Sequence, residues 1–448
     1  MLYESNKAKP YNLFAWGAAS AAFQVEGGWD AEGKGLSIWD TYTARKGNIF
    51  RGHDAKVACD FYHLYAFDLK LMRAMGIQHY RFSISWPRIV PDGTGKVNQA
   101  GLAFYDRVID LCLELGITPW VTLYHWDLPE ALQQKGGWTN RRILQWFEDY
   151  VTVVVKHFGD RVKNWMVLNE PMVFTGAGYF LGVHAPGKKG LKQFLPAMHH
   201  ATMCQAIGGY VIRTHVKDAH IGTTFSCSYI EPWKQEKRHI KAAQRVDALL
   251  NRLFVEPALG MWYPLDQLPA LGGVEKYVHP NDDVDIVFDF DFIGVQNYTR
   301  EVVRHSWFTP LIHARLLNAR KRGVPTTTMK WEVYTESLYH MLHQFAAYEG
   351  VNNVIVTENG ASFPDRVVQD RVNDHERMIT IKAFIKQMQR AQKEGVPVSG
   401  YFVWSFTDNF EWSEGYYPRF GLVYVDYDTQ ERIIKKSGEW YSNMIRGI

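Results

Sequence analysis

Two stretches of the chain each run a string of β-prone residues straight into a carboxylate. Val354-Ile355-Val356-Thr357 leads into Glu358, Asn359 and Gly360, and Trp165-Met166-Val167-Leu168 leads into Asn169, Glu170 and Pro171. Two glutamates presented at strand ends are the equipment for breaking a glycosidic bond. Its alkoxide leaving group is poor, so the bond needs a proton donor on the exocyclic oxygen and electron density from the opposite face. Arg81 stands on an otherwise apolar strand, where a buried guanidinium needs a carboxylate partner. Gln24 carries a donor and an acceptor that can straddle two neighbouring hydroxyls. His125, within Tyr124-His125-Trp126-Asp127, can act as ligand, general base or neutral donor. With no HExxH and no second histidine at metal spacing, no metal is expected.

Positioning such groups calls for many strand ends at one rim. Short β-branched or aromatic runs recur eight times, near 13–17, 79–83, 118–123, 164–168, 221–225, 292–296, 354–357 and 398–404. Between them lie amphipathic segments such as 62–75, 103–115, 142–158, 196–217, 335–348 and 374–393. Eight strand-helix alternations predict a (β/α)8 barrel, and the lack of a linker or composition break predicts that 1–448 form a single domain. In a barrel the reacting groups gather at the C-terminal ends of the strands. The second strand ends near Arg81, the third is followed by His125, and the fourth ends at Asn169 and Glu170. The sixth ends at Asn297 and Tyr298, the seventh at Glu358, and the eighth at Trp404.

The 448 residues, 46% hydrophobic and 22% charged, belong to a globular chain with an ample core. A formal charge of +3 with scattered basic residues implies no nucleic-acid or other polyanion partner. The clusters Lys234 to Lys241 and Arg315 to Arg322 read as solvated surface. The opening Met1-Leu2-Tyr3-Glu4-Ser5-Asn6-Lys7 lacks the marks of a secretory signal, and no stretch is long and apolar enough to span a bilayer. A cytoplasmic enzyme without a membrane partner is expected, and assembly into a homo-oligomer is compatible with the chain. Cys59, Cys112, Cys204 and Cys227 show no CxxC spacing and read as reduced structural thiols, and His199-His200 reads as helix packing. Gly28 to Gly35 mimics a phosphate-binding loop until Gly35 stands where Ser or Thr must hold magnesium, which excludes nucleotide binding and leaves no cofactor expected. Aromatic content of 15%, with 16 tryptophans, exceeds what a core needs, and indole faces suit the C–H faces of sugar rings.

The segments FAWGAASAAFQVEGG, RFSISWPR, YHWDLP, Val167-Leu168-Asn169-Glu170-Pro171, QNYTR, WEVYTE, Val356-Thr357-Glu358-Asn359-Gly360 and DNFEWSEGYYPRFGLVYVD follow one another in a familiar order. Together they resemble the family-1 glycoside hydrolases, the β-glucosidases and their relatives, from about Leu13 to Trp440. The resemblance implies a retaining mechanism with Glu358 as nucleophile and Glu170 as acid/base, their carboxyl groups about 5 to 5.5 Å apart. Arg81 and Tyr298 would keep Glu358 ionised, and its charge would keep Glu170 protonated. It also implies a glycone pocket of Gln24, His125, Asn169, Glu411 and Trp412, with Asn169 on the 2-hydroxyl and Glu411 on the 4- and 6-hydroxyls. Trp404 would be the stacking floor, Asn297 and Phe420 would border the sugar, and Trp331 would face the aglycone. The expected substrates are aryl and alkyl β-glucosides and short β-gluco-oligosaccharides, with β-fucosides and β-galactosides secondary and transglycosylation a side reaction.

Two positions depart from the family's habit. Met172 follows the Asn-Glu-Pro segment where many relatives place tryptophan, and Thr335 stands where proline is common. A flexible thioether should loosen the grip on a fixed disaccharide geometry. Phospho-sugar relatives carry a serine and a lysine-tyrosine pair after the eighth strand, where this chain has Glu411, Trp412 and Tyr417-Pro418-Arg419-Phe420-Gly421. The alternatives are a 6-phospho-β-glucosidase and a non-catalytic β-glycoside-binding protein on the same barrel. The presence of both glutamates weighs against the second, and against a thioglucosidase, where glutamine replaces the acid.

Overall fold

The computed structural model describes residues 14–448. Eight strands form the barrel: β1 (Ala15–Ala19), β2 (His79–Ser83), β3 (Thr118–Tyr124), β4 (Asn164–Asn169), β5 (His220–Pro232), β6 (Phe292–His305), β7 (Val354–Asn359) and β8 (Val398–Trp404). They pair in parallel in the order β5, β4, β3, β2, β1, β8, β7, β6, and the pairing of β5 with β6 closes the cylinder. A helix follows each strand on the outside: α1 (Phe61–Ala74), α2 (Gln99–Glu114), α3 (Ile143–Phe158), α4 (Leu191–His215), α5 (Lys237–Asp247), α6 (Glu336–Ala346), α7 (His375–Lys393) and α8 (Lys436–Arg446). This is the (β/α)8 barrel that the eight alternations predict. Leu13, the expected start of the first strand, and the opening segment 1–7 lie outside the described residues. Among the described residues no helix is long and apolar enough to cross a membrane.

Strand alternation divides the apolar residues into two layers. Val121, Leu123 and Val167 face outward into the layer shared with Val154, Val155 and Phe158 of α3. Trp120, Met166, Phe292, Ile355 and Phe402 fill the cylinder itself. That interior is tight enough to dictate glycine at two places. A Cβ on Gly17 would lie 2.5 Å from the Phe402 ring, and one on Gly222 would lie 2.4 Å from the Phe292 ring.

Two strands run far beyond the expected length, while β3, β4 and β7 exceed it by one or two residues and β1 starts two residues later, at Ala15. β5 and β6 overrun the cylinder to Pro232 and His305 and stay paired above the rim, where the short strand Ala314–Leu316 adds antiparallel to β6. The runs there are mixed polar and apolar, so no buried-strand signal marks them. The basic cluster ending at Arg322 is also only partly solvated: Arg322 and Arg300 both pair with the buried Glu332. His199 and His200 do serve packing, His199 bonding Tyr263 and Asp282 and His200 the Trp138 carbonyl. All four cysteines are buried and unpaired, and burial pushes their thiols up, away from reactivity.

Candidate active site

Glu358 reaches the interior through a break in strand alternation. Ile355 faces inward, so strict alternation would turn Glu358 out toward the helices. The register between β6 and β7 shifts after Val295–Val356, so that Gln296 pairs with Glu358 and the carboxylate swings into the cylinder. A similar irregularity between Met166 and Asn169 on β4 re-aims Asn169. The next residue, Glu170, is held at φ 47 with its N–H donating to the Thr224 carbonyl at 2.9 Å. That left-handed turn between strand and following helix is strained for a non-glycine residue.

Three donors converge on Glu358. Arg81 donates to its Oε1, Gln296 Nε2 donates to the same oxygen at 2.9 Å, and the Tyr298 hydroxyl donates to Oε2 at 2.7 Å. Arg81 is itself locked, donating to Asn169 Oδ1 at 2.6 Å and to Met166 Sδ at 3.0 Å. Asn169 Oδ1 also accepts from Gln296 at 2.8 Å, while its Nδ2 meets His125 Nε2 at 3.0 Å. The imidazole therefore carries its proton on Nδ1, which finds no partner among the described residues. Burial, with Arg81 adding to it, holds His125 well below the ordinary histidine range, so the ring is a neutral donor.

The two carboxyls sit in unlike surroundings. Burial raises Glu358, while Arg81 and Tyr298 pull it back down. Burial raises Glu170 well above the usual carboxylate range, and the Glu358 charge raises it further, against weaker opposition from Ser226 and Arg81. Glu358 therefore ionises first and Glu170 keeps its proton. Burial followed by the Glu358 charge also pushes Glu411 up to about 8.

Gln24, His125, Glu170, Tyr298, Trp331, Glu358, Trp404, Glu411, Trp412 and Phe420 line one cavity of about 320 Å³ at the C-terminal mouth of the barrel. Gln24 Nε2 is fixed on Asn409 Oδ1 at 3.0 Å and the Phe410 carbonyl at 2.9 Å, which leaves its Oε1 without a partner. Glu411 Oε2 is likewise buried and unpartnered. Buried polar atoms left in this state are costly unless a ligand satisfies them. Trp412 stacks on His125 with centroids 5.9 Å apart and meets Trp126 at 4.4 Å, making an aromatic wall. Arg81 and Asn169 stand behind Glu358 rather than on the cavity surface.

Asn297 does not join them. Its side chain points to the outer layer, donating to the Cys227 and Thr299 carbonyls and to Ser337 Oγ on α6. The residue that enters is its neighbour Gln296, which sequence reasoning missed. Alternation was the available signal: Gln296 and Tyr298 share a strand face, and Asn297 lies between them. His184, Ser226 and Glu301 also line the cavity without having been anticipated. The first lies on a loop and the other two on the strand extensions, where no motif marks them.

The model of glycosyl hydrolase family 1 matches residues 7–447. The chain is 45% identical to beta-glucosidase A of Thermotoga maritima over 97% of each chain. It is 44% identical to the 1,4-beta-D-glucan glucohydrolase of Thermotoga neapolitana, again over 97% of each. Among solved structures, the beta-glucosidase from Thermotoga maritima in complex with deoxynojirimycin superposes with a TM-score of 0.93 at 44% identity, covering 98% of this chain and 99% of that one.

Proposed function

The chain belongs to glycosyl hydrolase family 1, and on that premise we propose that it is a retaining β-glucosidase acting on terminal β-D-glucosyl residues of aryl and alkyl glucosides and short β-gluco-oligosaccharides. The observation that carries this reading is the pair of glutamates in one cavity, one held by three donors and the other kept protonated.

In the first step a Glu358 oxygen bonds to the anomeric carbon as the bond to the aglycone oxygen breaks, and that oxygen takes the Glu170 proton. Esterification removes the negative charge that raised Glu170, so its pKa falls and its carboxylate becomes a base. Water then gives Glu170 a proton while its oxygen attacks the anomeric carbon, releasing Glu358 and a sugar of retained configuration. Gln24, His125 and Glu411 supply the hydroxyl contacts, with Trp404 beneath the ring.

The lining charge speaks against phosphorylated sugars. Glu170, Glu301, Glu358, Glu411 and Glu414 line the cavity, and no lysine or arginine among the described residues does. A phosphate dianion would meet the Glu358 charge and push further protonation onto Glu170 and Glu411, with no cation in the lining to offset it. The test is turnover of p-nitrophenyl β-glucoside against its 6-phosphate, followed by Glu358→Gly with azide. Hydrolysis of the plain glucoside, and azide rescue giving the inverted glycosyl azide, are expected. Preference for the phosphate would sink the substrate assignment, and a rescued product of retained configuration would exchange the roles of the two glutamates.

A further inference from the structure

Above the rim, the extensions of β5 and β6 carry a feature that the chemistry at Glu170 and Glu358 does not use. Residues 232–245 hold five cations against the single carboxylate of Glu236, and residues 303–316 hold two against none. The whole chain carries only +3, so positive charge is gathered here and the remainder of the molecule is net negative. Far apart in sequence, the two stretches are joined by pairing. The Trp233 N–H donates to the Val303 carbonyl at 2.8 Å, and Arg304 stands opposite Arg315 on the added strand. Ala242, Ala243 and Val246 of α5 pack on Val303 and Ala314 in a small core of their own. Arg245 donates to the Ile312 and His313 carbonyls, which fixes the connecting turn. On that turn Trp307 is 78% exposed and Phe308 96%, and no charged side chain occurs between Ser306 and Ile312.

An indole and a phenyl ring held out in water on an anchored turn mark a contact surface. At the base of the turn Lys234, Lys237, Lys241 and Arg315 are exposed and pair with no carboxylate among the described residues, while Arg238 takes Glu236. An apolar tip on a cationic base matches an anionic lipid surface, where aromatic rings enter the interface and lysines and arginines meet the head groups. A second copy meeting it face to face would add its own cations, and a nucleic-acid strand needs a groove along its backbone, whereas this feature protrudes. We propose that the Trp307–Phe308 turn and the basic surface at its base dock the enzyme on anionic membranes. Taken separately in sequence, the two basic clusters suggest no such partner; strand pairing unites them.

The experiment is cosedimentation of the full chain with vesicles of phosphatidylcholine alone and of equal parts phosphatidylcholine and phosphatidylglycerol, at low and high salt. The unaltered protein should bind the anionic vesicles, leave them at high salt and ignore the neutral ones. Trp307→Ser with Phe308→Ser, and separately Lys237→Glu with Lys241→Glu, should each weaken vesicle binding by about tenfold or more with Tm unchanged. Absence of binding to anionic vesicles by the unaltered protein, equal binding to neutral ones, or binding that survives either pair of substitutions overturns the proposal. It is equally overturned if vesicles stay unbound while the same substitutions abolish self-association in analytical ultracentrifugation or binding of a labelled oligothymidylate.

Discussion

The two ends of the cavity are built on opposite plans. At the glycone end Gln24, His125, Glu411 and Trp412 are buried, and the segment that carries the last two is pinned from behind by a largely buried charge cluster. Asp408 accepts from Lys435 Nζ at 2.5 Å, from Arg419 at 2.7 Å and from the Gly421 N–H at 2.9 Å. Lys435 also holds Asp365 at 2.6 Å, and Arg377 ties Asp365 and Asp374 to the Arg419 carbonyl. At the aglycone end Glu301, Met329 and Trp331 are half-buried, and the Met329 thioether can shift. The difference teaches where selectivity resides. Buried polar groups that lose a partner penalise a wrong sugar heavily, whereas half-exposed aromatic and thioether surfaces accept many shapes.

The largest effect should come from the reacting centre between the two ends. Glu358→Gln is expected to lower kcat by about 10^5-fold or more on every glucoside, read by steady-state turnover. Next, Glu411→Ala should lower kcat/KM by about 10^3-fold, because the sugar hydroxyls lose their buried partner. A loss below tenfold would break the contrast between the ends. Lys435→Met, outside the cavity, takes away the cation that Asp365 and Asp408 share and leaves each with a single arginine, Arg377 and Arg419 respectively. It should cost about 3–5 kcal/mol in urea denaturation and raise KM for glucosides; unchanged KM at full folding would mean the cluster supports the barrel but not the sugar-binding segment. At the other end Trp331→Ala should cost only about fivefold in kcat/KM on cellobiose, and less on methyl β-glucoside.

The smallest shift concerns pH. Activity needs Glu358 ionised and Glu170 protonated, so kcat/KM falls at low pH as Glu358 takes a proton and at high pH as Glu170 loses one. Tyr298 lowers the Glu358 pKa by donating to it. Tyr298→Phe therefore raises that pKa and moves the acid limb of the profile upward by about one pH unit. A limb that stays in place would show that Arg81 and Gln296 alone set it.

Much of the barrel was legible because strand propensity and turn chemistry act locally. β2 and β8 were read with the bounds the structure has, and β7 runs on to Asn359, two residues past the expected end at Thr357. The extensions of β5 and β6 were not legible, since each stabilises the other above the rim and neither carries an apolar run of its own. At the site, the resemblance named most of the side chains that now share a cavity. It also carried Asn297 in and left Gln296 out, because a motif names neighbours without saying which face of a strand each occupies.

The chain alone determined that eight strands alternate with helices and that two of them end in glutamate, since these depend on the order and type of adjacent residues. Only the closed cylinder decided that Glu358 turns inward, that Gln296 rather than Asn297 meets it, and that Glu170 holds its proton while Glu358 gives its own up. The physical reason is that register shifts arise between strands far apart in sequence, and a pKa is set by whichever charges, donors and apolar walls those shifts bring around the group.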